Sequence, residues 1–381
     1  MNQLLSGKNA EKTHLPGGQA RILVAPLDWG LGHATRCIPI IRELISQGAD
    51  VWLAGEGAQQ HLLTEEFPQL PFLSLPGYRI HYSKTAGGLI WKMISQWPKL
   101  RSAIQKEQEW LKTMVKEHQF DAVISDNRYG LYHAGIPCAF ITHQLHIKSP
   151  AGKWSERILQ KRNYKYIRRF TVCWVPDQEG EINLSGELSH PLKKPPIPVK
   201  YIGPLSRFTK KNIPVQKKHM LVILSGPEPQ RSMFENIIAL QISHYEGTAT
   251  VVRGLPGSKN LIPSTNMIRF YNHLSSEDLN DEMEQAEYVI SRSGYSTVMD
   301  AMILEKKCIF IPTPGQTEQE YLGNYLMNNK IALSVNQKMF SLENSLMDAA
   351  NFNYRIPHLK GSLLQQAIIE LLLVPGKQPT S

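Results

Sequence analysis

From residue 21 onward, short apolar runs alternate with segments of helical periodicity. The first run predicts a strand at 22–26, and a strand at 51–54 follows it. Between them, apolar residues at helical spacing predict a helix near 35–47 that ends at Gly48: Ile38, Ile41, Leu44 and Ile45. The same alternation predicts further strands, at 72–75, 121–125, 138–142 and 171–175. This pattern is typical of an α/β domain with a parallel sheet.

A proline- and lysine-rich stretch, 189–218, interrupts the pattern and marks a domain boundary, because six prolines leave little room for a helix interior. After it we expect strands at 220–224, 248–252, 267–271, 287–291 and 308–312, and helices at 228–242, 275–286, 295–304 and 317–328. The prediction is α/β, with two doubly wound Rossmann-like domains facing a cleft. Its parts are a mobile tail (1–19), an N-terminal Rossmann-like domain (20–205), a linker (206–218), a C-terminal Rossmann-like domain (219–355), and a terminal helix and tail (356–381) that packs back across the hinge.

Ligands of such sheets bind beyond the carboxyl ends of the strands. We therefore expect the loops after Pro26, Ser125, Leu224 and Ile290 to converge on one cleft.

Composition narrows the class of protein. The 381 residues are 42% hydrophobic and 20% charged, as in ordinary globular proteins, and the net charge of +9 favours an anionic partner. The four cysteines form no Cys-x-x-Cys pair, which argues against a zinc knuckle or a disulfide framework and favours a reducing cytoplasm. No run of about 18 apolar residues predicts a membrane span, and residues 1–18 lack the hydrophobic stretch of a signal peptide.

The turn after the first strand, "DWGLGHATRC" (28–37), contains Gly30, Gly32 and His33. Glycines let a ligand approach the main chain closely, so the turn is either a binding loop or a tight strand-to-helix connection whose histidine only caps or packs.

Three stretches of the second half carry further candidate chemistry. In "ISRSGYSTVMDAM" (290–302), the helix start after Ser293 and Gly294 predicts an anion site to which small hydroxyl residues such as Ser296 add donors. Asp300 on that helix is suited to accept hydrogen bonds from ribose hydroxyls. The second stretch, "LSGPEPQR" (224–231), contains Ser225 and Gly226 at a strand end, and its Arg231 is suited to clamp a phosphate. The third stretch, "PTPGQTEQEYLGN" (312–324), begins a helix that carries two polar side chains, Gln319 and Glu320.

The run from "YVISRSGYSTVMDAM" to "IFIPTPGQTEQEYLGN" resembles the donor-binding signature of inverting GT-B glycosyltransferases, especially glycosyltransferase family 28. That family includes the enzyme that adds N-acetylglucosamine to the lipid-linked peptidoglycan precursor and the plant galactolipid synthases. "GLGHATR" resembles the family's Gly-rich, His-containing turn, and the likeness spans most of residues 20–330.

The resemblance implies a role for each matching residue. Asp300 stands where the family has an acidic residue, usually the longer glutamate, on the ribose. Gln319 and Glu320 match a glutamine pair that holds donor-sugar hydroxyls, and the glutamate here removes one amide donor. Ser293 and Gly294 match the phosphate-facing turn. A shorter form of another glycine-serine loop is present at Ser225 and Gly226.

His33 is then a candidate general base for an acceptor hydroxyl, since an imidazole near neutral pKa suits proton transfer, or a hydrogen-bond donor to the diphosphate. Asp126, at the end of strand 121–125, is the rival base, and His143 is the third candidate. The sequence has no Asp-x-Asp triplet, so helix amides and arginine would stabilise the leaving group, and we expect no required metal and no cofactor besides the UDP-sugar co-substrate.

Two stretches combine basic and apolar residues. "LIWKMISQW" (89–97) has the composition of a membrane-interface segment. "KRNYKYIRR" (161–169) carries a basic face suited to anionic headgroups: Lys161, Lys165, Arg168 and Arg169. Alternatively, the apolar residues pack on the sheet and the charges are only solvated. The basic residues are not interleaved with a nucleic-acid-binding motif, so nucleic acid is not an expected partner.

The sequence thus predicts an inverting enzyme that moves a hexose or N-acetylhexosamine from a UDP-sugar to a hydroxyl acceptor such as a membrane glycolipid or cell-envelope precursor. The location expected for it is the cytoplasm or the inner face of the cell membrane. Two alternatives stay open. "GLGHATR" is also similar to the UDP-sugar hydrolase of pseudaminic acid synthesis, in which water replaces the acceptor. The other alternative is a sugar-nucleotide-binding protein without catalysis.

Overall fold

A computed structural model describes residues 19–78, 97–359 and 361–374. Its first sheet has seven parallel strands in the order β3-β2-β1-β4-β5-β6-β7. The strands are β1 (Arg21–Pro26), β2 (Asp50–Gly55), β3 (Phe72–Ser74), β4 (Ala122–Asp126), β5 (Cys138–Ile141), β6 (Val172–Val175) and β7 (Val199–Tyr201).

The second sheet has six parallel strands in the order β10-β9-β8-β11-β12-β13. They are β8 (His219–Ile223), β9 (Thr248–Val252), β10 (Ile268–Tyr271), β11 (Tyr288–Ser291), β12 (Cys308–Phe310) and β13 (Leu333–Ser334). The two parallel sheets confirm the predicted fold class.

Helices connect the strands in the described parts of the chain. In the first half they are α1 (Leu31–Ser46), α2 (Gly57–Glu66), α3 (Trp97–His118) and α4 (Lys153–Ile167). In the second half they are α5 (Gln230–Ile242), α6 (Ser276–Gln285), α7 (Tyr295–Ile303), α8 (Thr317–Asn328), α9 (Leu342–Asn351) and α10 (Leu364–Leu373). None of the helices in these described ranges is long and apolar enough to cross a bilayer.

Each sheet has an apolar core on both faces, because parallel strands covered by helices are buried on both sides. One cluster crosses from the first domain to the second, and it contains Leu364 and Ile368 of α10, a helix that contacts α1. The terminal helix therefore lies on the first domain, and Leu363 N donates to Ile202 O at 3.0 Å. The four cysteines are buried, and they form no disulfide.

In each sheet the order of the strands reverses at the centre, where the chain leaves two neighbouring strands toward opposite edges of the sheet. In the first sheet this point lies between β1 and β4, and Pro26 pairs with Asp126. In the second it lies between β8 and β11, and Ile223 pairs with Ser291. The loops leaving these strand ends open toward the space between the domains, which is the usual ligand position of such sheets.

Hydrogen bonds across this space hold the two domains together. Tyr295 Oη donates to Pro176 O at 2.8 Å, and Ser296 Oγ donates to Gly32 O at 2.8 Å. Farther along α8, Tyr325 Oη bonds Asn183 Oδ1 at 3.0 Å. The cleft is therefore closed in this structure.

The elements differ from the sequence prediction in a few places. Helix α1 begins at Leu31, four residues before the predicted start, so Gly32 and His33 belong to its first turn rather than to a loop. Helices α2 and α9 and strands β7 and β13 were not predicted, and the helical spacing of the basic residues in 161–169 predicted only the second half of α4. Residues 1–18 of the predicted tail, 79–96 with most of "LIWKMISQW", and 375–381 lie outside the described residues.

Candidate active site

Three polar side chains meet beside the switch point of the first sheet. His33 and Arg36 lie one turn apart on α1, and both reach Asp126, the last residue of β4. His33 Nδ1 is 3.1 Å from Asp126 Oδ2, and Arg36 Nε donates to the same oxygen at 2.7 Å. Arg36 Nη2 donates to the other carboxylate oxygen, Oδ1, so Arg36 and Asp126 form a bidentate ion pair.

The glycine-rich turn makes this meeting possible. Gly30 precedes the helix with a φ of 93°, a conformation that side chains other than glycine's rarely adopt. The chain can therefore leave β1 and enter α1 within four residues. As a result His33 stands in the first helical turn, above the end of β4.

Charge and burial fix the protonation of these groups near neutral pH. Burial would raise the pKa of Asp126, but the charges of Arg36 and His33 outweigh it and hold that pKa below its usual value. Burial, reinforced by the Arg36 charge, lowers the pKa of His33 despite the attraction of Asp126. The pair is therefore an ionised carboxylate beside a neutral imidazole.

The neutral imidazole of His33 has two partners at Nδ1 with opposite needs. Asp126 Oδ2 requires a proton on Nδ1, whereas Arg36 Nη2, at 2.7 Å, requires a lone pair there. With the proton on Nδ1, Nε2 accepts protons and acts as a base. With the proton on Nε2, that nitrogen donates a hydrogen bond instead. In the described parts of the chain no partner occupies Nε2, so both predicted roles of His33 are open to it.

His143, just after β5, joins this cluster to the second domain. Its Nε2 is 2.6 Å from Glu318 Oε1, in the first turn of α8, and its Nδ1 is 3.2 Å from Arg36 Nη1. Its ring stacks on Tyr295 with centroids 4.2 Å apart. Since Arg36 can only donate and the Glu318 carboxylate only accepts, these two contacts require a proton on Nε2 of His143 and a lone pair on its Nδ1. Both ring nitrogens are therefore engaged, which makes His143 less available for proton transfer than His33.

Glu318 is held by more than His143. Gln144 Nε2 donates to its second oxygen, Oε2. Burial would raise its pKa, but His143 and, more weakly, His33 and Arg36 lower it, so Glu318 is ionised at neutral pH. About a third of its side chain (34%) is exposed.

Opposite this cluster stands the start of α7. Ser293 is fully buried, and its Oγ donates to Gln319 O at 2.8 Å, which ties the starts of α7 and α8 together. Gly294 caps α7 without a side chain, and the first amides of the helix have no acceptor among the described residues. Gly32 and Ser296 bring the start of α1 against that of α7.

Asp300 is buried one and a half turns into α7. Its Oδ1 accepts a hydrogen bond from Ser206 Oγ at 2.6 Å, so the carboxylate holds the segment that links the domains. Burial raises the pKa of Asp300 to about 6, even though the Arg207 charge and the Ser206 hydroxyl favour its ionised form.

The remaining predicted donor residues line the carboxyl ends of β8 and β12. Gln319 Oε1 accepts from Thr313 N at 2.9 Å, and the exposed Glu320 accepts from Gly315 N at 2.9 Å. These contacts leave the Gln319 amide nitrogen without a partner in the described residues. Gly226 follows β8 with a φ of 105°, next to Ser225, as expected for a tight loop near a ligand.

Arg231 differs from what a phosphate clamp requires. Its guanidinium donates to Glu228, Glu235 and Arg253 O at 2.6, 3.0 and 3.2 Å, respectively, and its side chain is 6% exposed. The two carboxylates neutralise its charge, and it would have to leave them to contact a phosphate.

Sequence reasoning did not identify three residues of this site: Arg36, Tyr295 and Glu318. Arg36 lies three residues after His33, the spacing of neighbours on a helix, and that signal was available. The partner of Glu318 lies 175 residues away, so no local pattern could reveal the contact.

Among the described residues no group of three or more His, Cys, Asp or Glu side chains is arranged to hold a metal ion.

Comparison with known proteins shows which proteins this chain resembles. Residues 262–359 match the glycosyltransferase family 28 C-terminal domain. The UDP-N-acetylglucosamine–N-acetylmuramyl-(pentapeptide) pyrophosphoryl-undecaprenol N-acetylglucosamine transferase of Buchnera aphidicola subsp. Schizaphis graminum is 23% identical over 329 residues, which cover 82% of this chain and 84% of that protein. An uncharacterised glycosyltransferase of Methanosarcina mazei is 22% identical over 336 residues, covering 79% of this chain and 81% of its own length.

Solved structures show the same fold. The glycosyltransferase SnogD from Streptomyces nogalater matches with a TM-score of 0.57 at 13% identity, covering 93% of this chain and all of its own. MurG of Acinetobacter baumannii matches with a TM-score of 0.51 at 14% identity, and the match covers 93% of this chain and 94% of MurG. The chain therefore has the GT-B fold of these glycosyltransferases, and its residues 262–359 resemble the C-terminal domain of glycosyltransferase family 28.

Proposed function

We propose that this enzyme transfers a hexose or N-acetylhexosamine from a UDP-sugar to the hydroxyl of a lipid-linked acceptor, with inversion at the anomeric carbon. The names of the similar transferases support this proposal, since they state a UDP-sugar donor and an undecaprenol-linked acceptor. The observation that carries it is His33, whose free Nε2 stands in the cleft between the ionised Asp126 and the starts of α7 and α8.

In the proposed reaction the acceptor lies against the first domain. With Nδ1–H directed at Asp126, His33 Nε2 takes the proton of the acceptor hydroxyl as its oxygen attacks the anomeric carbon. Asp126 stabilises the imidazolium that forms. The bond from the anomeric carbon to the diphosphate breaks in the same displacement, and this inverts the configuration of that carbon.

The donor lies against the second domain. Free amides at the start of α7 are preorganised donors for the diphosphate charge that develops, so the proposed reaction needs no metal. Asp300 would accept a hydrogen bond from a ribose hydroxyl in addition to those that it accepts from Ser206 Oγ and the Arg207 backbone. The free amide of Gln319 and the exposed carboxylate of Glu320 are suited to sugar hydroxyls. Ser225 and Gly226 would complete the phosphate loop, with Arg231 only after rearrangement.

A basic face of the first domain suits an anionic membrane. Along α4, basic side chains recur every four residues on the exposed side: Lys153, Arg157, Lys161 and Lys165. Trp154, 75% exposed, lies beside them, and basic residues with an exposed aromatic are typical of interfacial helices. Arg168 is exposed too, but Arg169 lies over the rings of Tyr132 and Tyr166 at 5.1 and 5.2 Å.

The test of the function is a transfer assay in EDTA with labelled UDP-glucose, UDP-galactose and UDP-N-acetylglucosamine. Each donor is offered undecaprenyl-diphosphate-linked sugar, diacylglycerol or no acceptor. Labelled lipid from one donor supports the proposal. Free sugar without an acceptor would make the protein a hydrolase, and UDP-sugar binding without turnover would make it a binding protein.

The membrane contact is tested by sedimentation with phosphatidylglycerol vesicles. Replacing Lys161 and Lys165 by glutamate should release the protein from the vesicles. Equal binding of the variant and the wild type would exclude this face.

A further inference from the structure

A continuous chain of polar contacts runs from the second domain to His33. Glu318 Oε1 lies 2.6 Å from His143 Nε2, and His143 Nδ1 lies 3.2 Å from Arg36 Nη1. Through its other nitrogens Arg36 reaches Asp126 and, at 2.7 Å, His33 Nδ1. Every link is made by a buried or half-buried side chain, so water competes little with these contacts.

We propose that Arg36 is a positioning residue for His33 and that Glu318 of the second domain acts on His33 through His143 and Arg36. This inference rests on the proposed function, in which His33 is the base. It adds a role for the second domain beyond donor binding, because that domain also completes the environment of the proton acceptor.

The geometry of Arg36 is the first argument. Its Nη2 faces Asp126 Oδ1 and His33 Nδ1, and its Nη1 faces His143. A planar guanidinium cannot move one nitrogen without moving the others. Its position therefore decides whether His33 Nδ1 receives a hydrogen bond from Arg36 or gives one to Asp126. That choice determines whether Nε2 carries a proton.

The position of Glu318 is the second argument. Glu318 belongs to α8, whereas Arg36, Asp126 and His143 belong to the first domain. The contact between Glu318 and His143 therefore exists only while the cleft is closed. His143 is fixed between Glu318 and Arg36 with its ring against Tyr295, so closure restrains Arg36 as well.

Charge is the third argument. The titratable groups that face His33 are Arg36 on its own helix, Asp126 after β4, His143 after β5 and Glu318 on α8; Tyr295 lies behind His143. Arg36 disfavours the protonated form of His33, whereas the Glu318 carboxylate favours it. Removing either charge must move the titration of His33, and the two removals act in opposite directions.

The experiment compares Glu318→Gln and Arg36→Gln with the wild type in pH profiles of kcat/KM, using the donor and acceptor that the wild type accepts. We expect the acidic limb to move to lower pH in E318Q and to higher pH in R36Q. In both variants kcat should fall about tenfold, because the base is misplaced. Tyr325→Phe is the matched control, since it removes another cross-domain hydrogen bond of α8 and should leave the limb in place.

Lower kcat in both variants with an unmoved acidic limb would reduce Arg36 and Glu318 to structural contacts and overturn the inference. Because R36Q leaves Asp126 buried without its partner and can fail to fold, E318Q decides alone in that case: an unchanged limb and kcat refute the proposal. Absence of turnover in the wild type would instead refute the proposed function, so the two failures are distinguishable.

Discussion

The two halves of the molecule share a plan but present different chemistry at the same place. Both have a parallel sheet that reverses its winding at the centre, between β1 and β4 in the first and between β8 and β11 in the second. The first half places a buried carboxylate, Asp126, at this point and surrounds it with His33 and Arg36. The second half places the start of α7 there, after Ser293 and Gly294, with backbone amides that have no acceptor among the described residues.

The second half also has arginines near its switch point, but they are turned inward. Arg231 is paired with two glutamates. Arg292 is buried and donates to Ile311 O and Gln230 O, and burial lowers its pKa to about 10. The comparison teaches that one fold supports two tasks. Proton transfer needs a titratable group with a partner, whereas an anion needs neutral donors that are already in place.

If the first half is the catalytic one, replacing His33 by alanine has the largest effect. We expect turnover to fall about 100-fold, the low end of what a general base contributes, with UDP affinity unchanged within a few-fold. Steady-state rates measure the first effect and calorimetry the second. His61→Ala, at an exposed position of α2, is the control. Unchanged turnover in H33A would end the assignment of His33 as the base.

Asp300→Asn tests how much the ionised, buried carboxylate of the second half costs in folding stability. Because burial raises its pKa from 3.8 to about 6, the folded protein holds this proton more tightly than the unfolded chain does. The contribution that protonated Asp300 makes to the wild type's free energy of unfolding is therefore lost as the pH rises from 4 to above 6. The variant should be more stable by roughly 2–3 kcal/mol at pH 8, and the difference should vanish near pH 4.

Urea unfolding at several pH values measures this difference. Asp348→Asn, at an exposed site of α9, is the matched control. A difference between D300N and the wild type that does not depend on pH would show that Asp300 is not buried as described.

Gly32→Ala has the smallest expected effect and probes where the two halves touch. A Cβ at Gly32 would lie 3.1 Å from Ser296 Oγ, closer than ordinary contact, so this hydroxyl must shift and its hydrogen bond to Gly32 O is weakened. We expect a several-fold loss of turnover with no loss of folding stability, because alanine favours the helix. Adding Ser296→Ala should restore part of the rate. If the double variant is as slow as G32A, the contact does not govern closure.

The sequence predicted most of the strands because strands of parallel sheets are buried on both faces and appear as continuous apolar runs. Helix α2 was not predicted because its sequence, GAQQHLLTEE, buries only Gln59 and Leu63 and has little apolar periodicity. The start of α1 was misplaced because Gly30 allows a turn that propensity alone does not show. Residues that meet through the fold, such as His143 and Glu318, leave no local pattern. The roles carried over from the family resemblance stay predictions.

The most direct test of this division is calorimetric titration of UDP, with EDTA present, into the wild type, His33→Ala and Asp300→Ala. The account predicts UDP binding to the wild type without metal, an unchanged dissociation constant for H33A, and binding about tenfold weaker for D300A through the loss of a hydrogen bond to a charged group. Loss of UDP binding in H33A with full binding in D300A would contradict it, because the nucleotide would then belong to the first half.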